Sequence, residues 1–254
     1  MENPTVTITG ISGFLGSQIC LLFLKDGSYK VRGTVRSVNN PKKIQPLKDA
    51  FGEYFSQLEL VEADLMNEQS LDKAIEGSTY VVHTASPFPL ANPKHEDEVI
   101  KPAVDGTLFA MKACRKHKVK RIVITASLLT MTEEKNPSMY SKSKKLADKA
   151  SMDFIAALPA DEKLELVTIH PGFILGPNLN SASFTSGDFI KKIMLKEFPK
   201  LPRVQLGCVD VREVAQAHLQ ALKVPEADGK KFQLCENAYW ITDIGECLKE
   251  LYGN

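Results

Sequence analysis

Tyr140 and Lys144 stand four residues apart, and a helix would put both on one face. That pairing suits proton transfer. A phenol titrates at about pH 10 in water. A neighbouring ammonium favours the phenolate, so Lys144 would lower that value and let Tyr140 act as general acid toward a carbonyl. Ser127 follows the apolar run Arg121–Thr125, and a hydroxyl at the end of such a strand could polarise the same carbonyl. A Tyr-x-x-x-Lys pair recurs by chance in many helices; the strand-end serine makes the set more specific.

A second constellation lies at the start of the chain. Thr9 to Gly16 read Thr-Gly-Ile-Ser-Gly-Phe-Leu-Gly, directly after the alternating run Val6-Thr7-Ile8. In a strand–turn–helix unit, Gly10 permits the tight turn and Gly13 lets main-chain N–H groups approach a pyrophosphate. Gly16 lets the helix pack close on the sheet. Gly10, Ser12, Gly13, Phe14, Leu15 and Gly16 are therefore the expected dinucleotide cradle, with the anion facing the helix N-terminus. At the end of the second predicted strand stands Arg36, with Arg32 before it and Lys42-Lys43 after it, and no acidic residue lies between Lys30 and Lys48. A guanidinium suits an extra ribose phosphate where a carboxylate would repel it, so Arg36 among these cations predicts NADP(H). Asp64 could accept a hydrogen bond from adenine, or cap the next helix.

The elements that must position these groups alternate regularly. Strands are predicted at Val6–Thr9, Lys30–Val35, Leu58–Glu62, Tyr80–Thr84, Arg121–Thr125 and Leu164–Ile169. Helices are predicted at Gly13–Asp26, Pro41–Phe51, Asn67–Ile75, Glu98–His117 and Tyr140–Leu158. The alternation predicts an α/β fold, a Rossmann-type doubly wound parallel sheet whose ligand edge lies at the carboxyl ends of the strands. Residues 1–169 form the expected NADP-binding domain. After Ile169 the regularity fades into a loop around His170-Pro171-Gly172 and Gly176-Pro177. Helices at Gly187–Lys196, Val211–Ala221 and Ile241–Leu251, with the segment Val204–Val211, complete a small C-terminal substrate lobe. It spans residues 170–254, with some segments returning to the first domain.

Composition narrows the class. The 254 residues carry a net charge of +1, which argues against nucleic acid as a partner. No apolar run approaches the roughly 20 residues of a membrane span, and the N-terminus lacks a signal-peptide pattern. Five cysteines without a Cys-x-x-Cys pair suit reduced, mostly buried thiols, and together these features predict a cytoplasmic protein. The histidines do not suggest a metal site. His83 reads as a hydrogen-bonded core residue, His95, His117 and His218 as surface or helix positions, and His170 as a loop contact. Pro87-Phe88-Pro89 could wall an apolar substrate pocket, or pack as a hydrophobic loop on the lobe.

In combination, these motifs resemble the extended short-chain dehydrogenases/reductases. They are close to the group of dihydroflavonol reductases, cinnamoyl-CoA reductases and yeast-type methylglyoxal/aldehyde reductases. The segments that carry the resemblance are Thr9–Gly16, Val31–Arg36, Asp64-Leu65, His83–Pro87, Tyr140–Ala147 and His170–Pro177. The resemblance implies a Ser127/Tyr140/Lys144 triad and NADPH held partly by Arg36 and Lys43. It also implies cofactor contacts at Asp64, Leu65, Thr84, Ala85, Ser86, Thr125, Pro171 and Gly172, besides Tyr140 and Lys144. Hydride delivery to a small aldehyde or ketone would follow, in a monomer or a homodimer paired through the helices Glu98–His117 and Tyr140–Leu158. Four features depart from the pattern. Ser127 and Tyr140 are 13 positions apart, fewer than is usual; Thr125-Ala126-Ser127-Leu128-Leu129 lacks the usual second serine and small residues; His170 replaces an asparagine or arginine; and relatives carry a further C-terminal segment. The first and last keep open a non-catalytic NADP(H)-binding subunit or scaffold, and the shared fold and triad keep open a nucleotide-sugar epimerase or dehydratase.

Overall fold

The computed structural model describes residues 3–86, 95–180 and 184–253. Seven strands form one sheet: β1 (Thr5–Thr9), β2 (Lys30–Val35), β3 (Leu58–Glu62), β4 (Tyr80–His83), β5 (Arg121–Thr125), β6 (Glu165–Pro171) and β9 (Lys231–Leu234). Their order is β3-β2-β1-β4-β5-β6-β9, and every adjacent pair is parallel. The doubly wound sheet expected from the alternation is present. Its order reverses between β1 and β4, so the carboxyl ends of those two strands open the crevice where such folds bind ligands.

Successive side chains on a strand face opposite ways, and both faces here are covered. Val82, Val123 and Val167 join α1 (Phe14–Asp26), α2 (Pro41–Phe51) and α7 (Val211–Lys223) in one cluster. Val81, Ile122 and Leu166, each one position away, join α3 (Glu68–Ile75), α4 (Asp97–Lys116) and α5 (Met139–Ala156) in the other. That is why these strands read as continuous apolar runs.

A second sheet of three strands follows, in the order β10-β8-β7: β7 (Phe173–Leu175), β8 (Gln205–Asp210) and β10 (Asn237–Trp240). It is accompanied by α6 (Thr185–Met194) and α8 (Ile241–Tyr252). Three strands of three or four residues each, β7, β9 and β10, escape the sequence reading. The strand β9 and helix α7 return to the large sheet, α7 packing on α1. No helix of the described residues is long and apolar enough to cross a membrane. Cys20, Cys114 and Cys208 are buried and Cys235 and Cys247 exposed, all as free thiols.

Where β6 ends, its chain passes under β8 with no space to spare. The Gly172 amide donates to the Leu234 carbonyl at 2.9 Å, and a Cβ on Gly172 would lie 2.1 Å from the Gly207 carbonyl oxygen. Backbone cannot yield as a side-chain tip can. Gly172→Ala is therefore expected to cost about 2–3 kcal/mol. That should lower the thermal midpoint by roughly 5–10 °C, and an unchanged melting curve would contradict the packing described.

Candidate active site

The glycine turn forms as its residue types require. Gly10 has φ +75°, a left-handed conformation that glycine adopts without strain. The Gly13 amide donates to the Gly10 carbonyl at 3.0 Å. Gly13 is the residue before α1, so the helix starts one position later than expected, at Phe14. A Cβ on Gly16 would lie 2.3 Å from the Gly10 oxygen, and one on Gly10 would lie 3.2 Å from the Cα of Ala85. Main chain from β1, α1 and the end of β4 thus meets in a space that side chains would fill. Thr9 ties the two strand ends: its hydroxyl accepts the Thr84 and Ala85 amides, each at 3.1 Å, and the Thr84 hydroxyl donates to the Thr9 carbonyl. With two amides accepted, the Thr9 proton is free to donate to His83 Nδ1 at 3.0 Å. His83 is a buried, hydrogen-bonded core residue, as its apolar strand suggested.

The cations after β2 divide. Arg36 and Lys43 are exposed beside the first turn of α2. Arg32 is turned away from them: it donates to the Ala74 and Glu76 carbonyls and pairs with Glu59 at 3.0 Å. It therefore belongs to the packing of β2 on α3 and not to a phosphate site. Glu62 of β3 reaches into this turn, where its carboxylate accepts the Val38 amide at 2.9 Å. Asp64 does not cap α3; Asn67 does, accepting the Ser70 amide, while Asp64 closes a local turn onto the Met66 amide. Leu65 packs so closely on α4 that a Cβ on Gly106 would lie 2.6 Å from its side chain.

The proton-transfer residues stand on two touching elements. Ser127 precedes a 3-10 turn at Leu128–Met131 that packs on α5. The helix α5 begins at Met139 because Ser138 caps it, accepting the Ser141 amide at 3.0 Å. Tyr140 and Lys144 follow on one face. The Lys144 Nζ lies 5.8 Å from the Tyr140 ring centre and donates to Ser86 Oγ at 2.9 Å. That bond brings the α5 lysine to the end of β4, at the switch point. Burial pushes Lys144 down to about 8. It also pushes Tyr140 above its ordinary value. The expected lowering of the tyrosine is thus reversed: desolvation of the phenolate outweighs an ammonium already bonded to Ser86. The consequence is a phenol that holds its proton firmly at neutral pH.

His170 lies elsewhere than expected, and His218 keeps its helix position without being at the surface. His170 is not in a loop; it is fully buried near the end of β6, which runs on to Pro171. His218 is on α7 but fully buried. Its Nδ1 donates to the Val214 carbonyl at 2.8 Å, so Nε2 accepts the Thr125 hydroxyl at 2.8 Å. The Thr125 hydroxyl can then meet a ligand only as an acceptor. Pro171 pairs with Leu234 in the sheet. Pro87-Phe88-Pro89 lies outside the described residues.

This edge carries the features of the extended short-chain dehydrogenase/reductase class: a doubly wound sheet, a glycine turn at its switch point, a strand-end serine and a Tyr/Lys helix. The chain belongs to the 3-beta hydroxysteroid dehydrogenase/isomerase family, whose profile matches residues 7–249. It is 31% identical over 270 residues to a cinnamoyl-CoA reductase of Medicago truncatula, covering 97% of this chain and 80% of that protein. It is 34% identical over 250 residues to a tetraketide alpha-pyrone reductase of Arabidopsis thaliana, covering 89% and 74%. Among solved structures it resembles the yeast methylglyoxal/isovaleraldehyde reductase Gre2 complexed with NADPH. The TM-score is 0.85 at 28% identity, over 98% of this chain and 83% of that one.

Burial holds both His83 and His218 down to about 4, with Lys144 adding to the effect at His83, and it also lowers His170. In the unfolded chain such groups take protons below about pH 6.5. Their contribution to stability is complete above that pH and is lost as pH falls toward 4. By pH 5, His83 and His218 should each have removed about 2 kcal/mol. Urea midpoints at pH 7.5 and pH 5 test this; a flat profile would show that the histidines are not held neutral.

Proposed function

We propose that the chain is an NADP(H)-dependent reductase that converts a small aldehyde or ketone to an alcohol. The observation that carries this reading is the bond from Lys144 to Ser86, which sets the Tyr/Lys face beside the glycine turn. The crevice suits a dinucleotide: main chain and not side chains lines it at Gly10 and Gly16, and α1 starts at its edge. Gly10, Ser12, Gly13, Phe14, Leu15 and Gly16 would hold the pyrophosphate, Arg36 and Lys43 the ribose phosphate, and Asp64 and Leu65 the adenine. Thr84, Ala85, Ser86, Thr125, Pro171 and Gly172 would line the nicotinamide end. When bound, NADPH supplies the hydride.

The chain's own groups manage the proton. Ser127 would hold the substrate carbonyl by its oxygen. Tyr140 would donate the proton to that oxygen as it becomes an alkoxide, and its raised pKa keeps it protonated at neutral pH until then. Lys144, still charged at neutral pH, would stabilise the phenolate as it forms and hold ribose hydroxyls. Residues 1–169 with α7 and β9 would form the cofactor domain, and the three-stranded sheet with α6 and α8 the substrate lobe. The NADPH-bound relative and the two plant reductases support the reading.

Tyr140→Phe should lower turnover of small aldehydes by at least about 100-fold, with NADPH affinity unchanged by fluorescence titration. Full turnover in that variant would remove Tyr140 from the mechanism. No nicotinamide-dependent turnover in the wild type would favour a binding subunit. Arg36→Ala should weaken NADPH about tenfold and leave NADH nearly unaffected. Equal loss for both cofactors would exclude a phosphate contact at Arg36.

A further inference from the structure

The helix face that carries Tyr140 and Lys144 continues one turn further to Asp148. Asp148 is buried, 9% exposed, and its Oδ2 pairs with Lys231 Nζ of β9 at 2.6 Å. Its Oδ1 accepts no hydrogen bond and lies 3.8 Å from His170 Nε2. His170 has 0% exposure, and its two nitrogens reach in different directions. The Thr130 hydroxyl donates to the Ser127 carbonyl at 2.8 Å, so it accepts from His170 Nδ1 at 2.7 Å, and the same nitrogen lies 3.3 Å from the Ser127 oxygen. Nε2 accepts the Thr168 hydroxyl at 2.8 Å. In this arrangement each proton has an acceptor, with the imidazole neutral and protonated on Nδ1.

We propose that His170 is a positioning residue for Ser127, fixing the serine-bearing turn to β6 and setting it against the Asp148 end of the Tyr140/Lys144 helix. The proposal rests on the reductase reading above. Ser127 is followed by a turn of only four residues, Leu128–Met131, none of whose side chains is fully buried. The side-chain bonds that hold its main chain to the sheet run through Thr130 and His170. His170 is beneath the turn and touches the Ser127 main chain, not the hydroxyl, so its effect on chemistry passes through the serine. Asp148 and Lys231 are the charged groups that face it.

A double-mutant cycle tests this, because a merely structural role would not depend on Ser127. Ser127→Ala is expected to lower kcat. His170→Ala should lower kcat by roughly tenfold or more when Ser127 is present, but by less than about threefold in the Ser127→Ala background. NADPH affinity should stay within about twofold in both. His170→Asn, whose amide N–H can take the place of Nδ1–H toward Thr130, should recover most of the lost rate. If His170→Ala does not fold, Thr130→Val removes the same link and must show the same dependence on Ser127. Equal losses in the two backgrounds, or weakened NADPH binding, would overturn the positioning role. Full activity in Ser127→Ala would instead overturn the reading of Ser127 itself.

Discussion

Gly16 has no room for a side chain, and most of the site depends on that. With the Gly10 carbonyl 2.3 Å from where a Cβ would stand, α1 begins hard against the end of β1. The unpaired amides of its first turn then point into the crevice between β1 and β4. The second lobe is hung on the same turn. Phe184 stacks on Phe14 with ring centres 3.8 Å apart, the Gln18 amide donates to the Pro177 carbonyl, and the Asn180 amide reaches the Ser12 carbonyl. A side chain at Gly16 would therefore disturb more than a phosphate cradle; it would move the surface on which Pro177, Asn180 and Phe184 rest.

Where β1, β5 and β6 end, the sheet is polar. Threonines on β1, β5 and β6 each meet a buried histidine: Thr9 with His83, Thr125 with His218, and Thr168 with His170. A buried imidazole that accepts a hydroxyl proton satisfies both groups without a charge, which in this surrounding would be costly. Thr9–His83 thus ties β1 to β4 and Thr125–His218 ties β5 to α7, and neither pair adds a charge beside Lys144. Two cations so close would compete. The burial that holds His83 near 4, aided by Lys144, keeps the lysine the charged partner at neutral pH.

Much of this was legible in the residues. Glycine spacing, apolar runs and strand–helix alternation carry the doubly wound fold, because each follows from a local steric or burial rule. Strands β1 to β6 and helices α1 to α5 fall within two residues of where periodicity puts them. The strands β7, β9 and β10, of three or four residues each, were not legible. Nor were the roles of His170 and His218, although that of His83 was. The hydroxyl that His218 meets belongs to Thr125, 93 residues away. Asp148 had a signal that could have been used: it continues the Tyr140–Lys144 face by one more helical turn. Arg32 misled because alternation gives the face of a strand but not what waits there, here the carbonyls at the end of α3.

The connection from Ser127 to Tyr140 shows how a short path can still hold a site. Thr132 donates to the Leu129 carbonyl, Lys145 holds the Thr132 carbonyl at 2.6 Å, and Glu134 accepts the Ser141 hydroxyl at 3.0 Å. Two of these three bonds run to α5 itself. The segment is therefore fastened to the helix that bears the tyrosine, and it does not arch freely between strand and helix. A longer connection would cost little in closure entropy, which grows only slowly with length, but it would lose these fixed points. Fastening the serine-bearing turn to α5 on one side and to β6 through His170 on the other sets the Ser127 backbone in relation to Tyr140. Precision in that spacing is what a shared carbonyl oxygen demands of two hydroxyl groups.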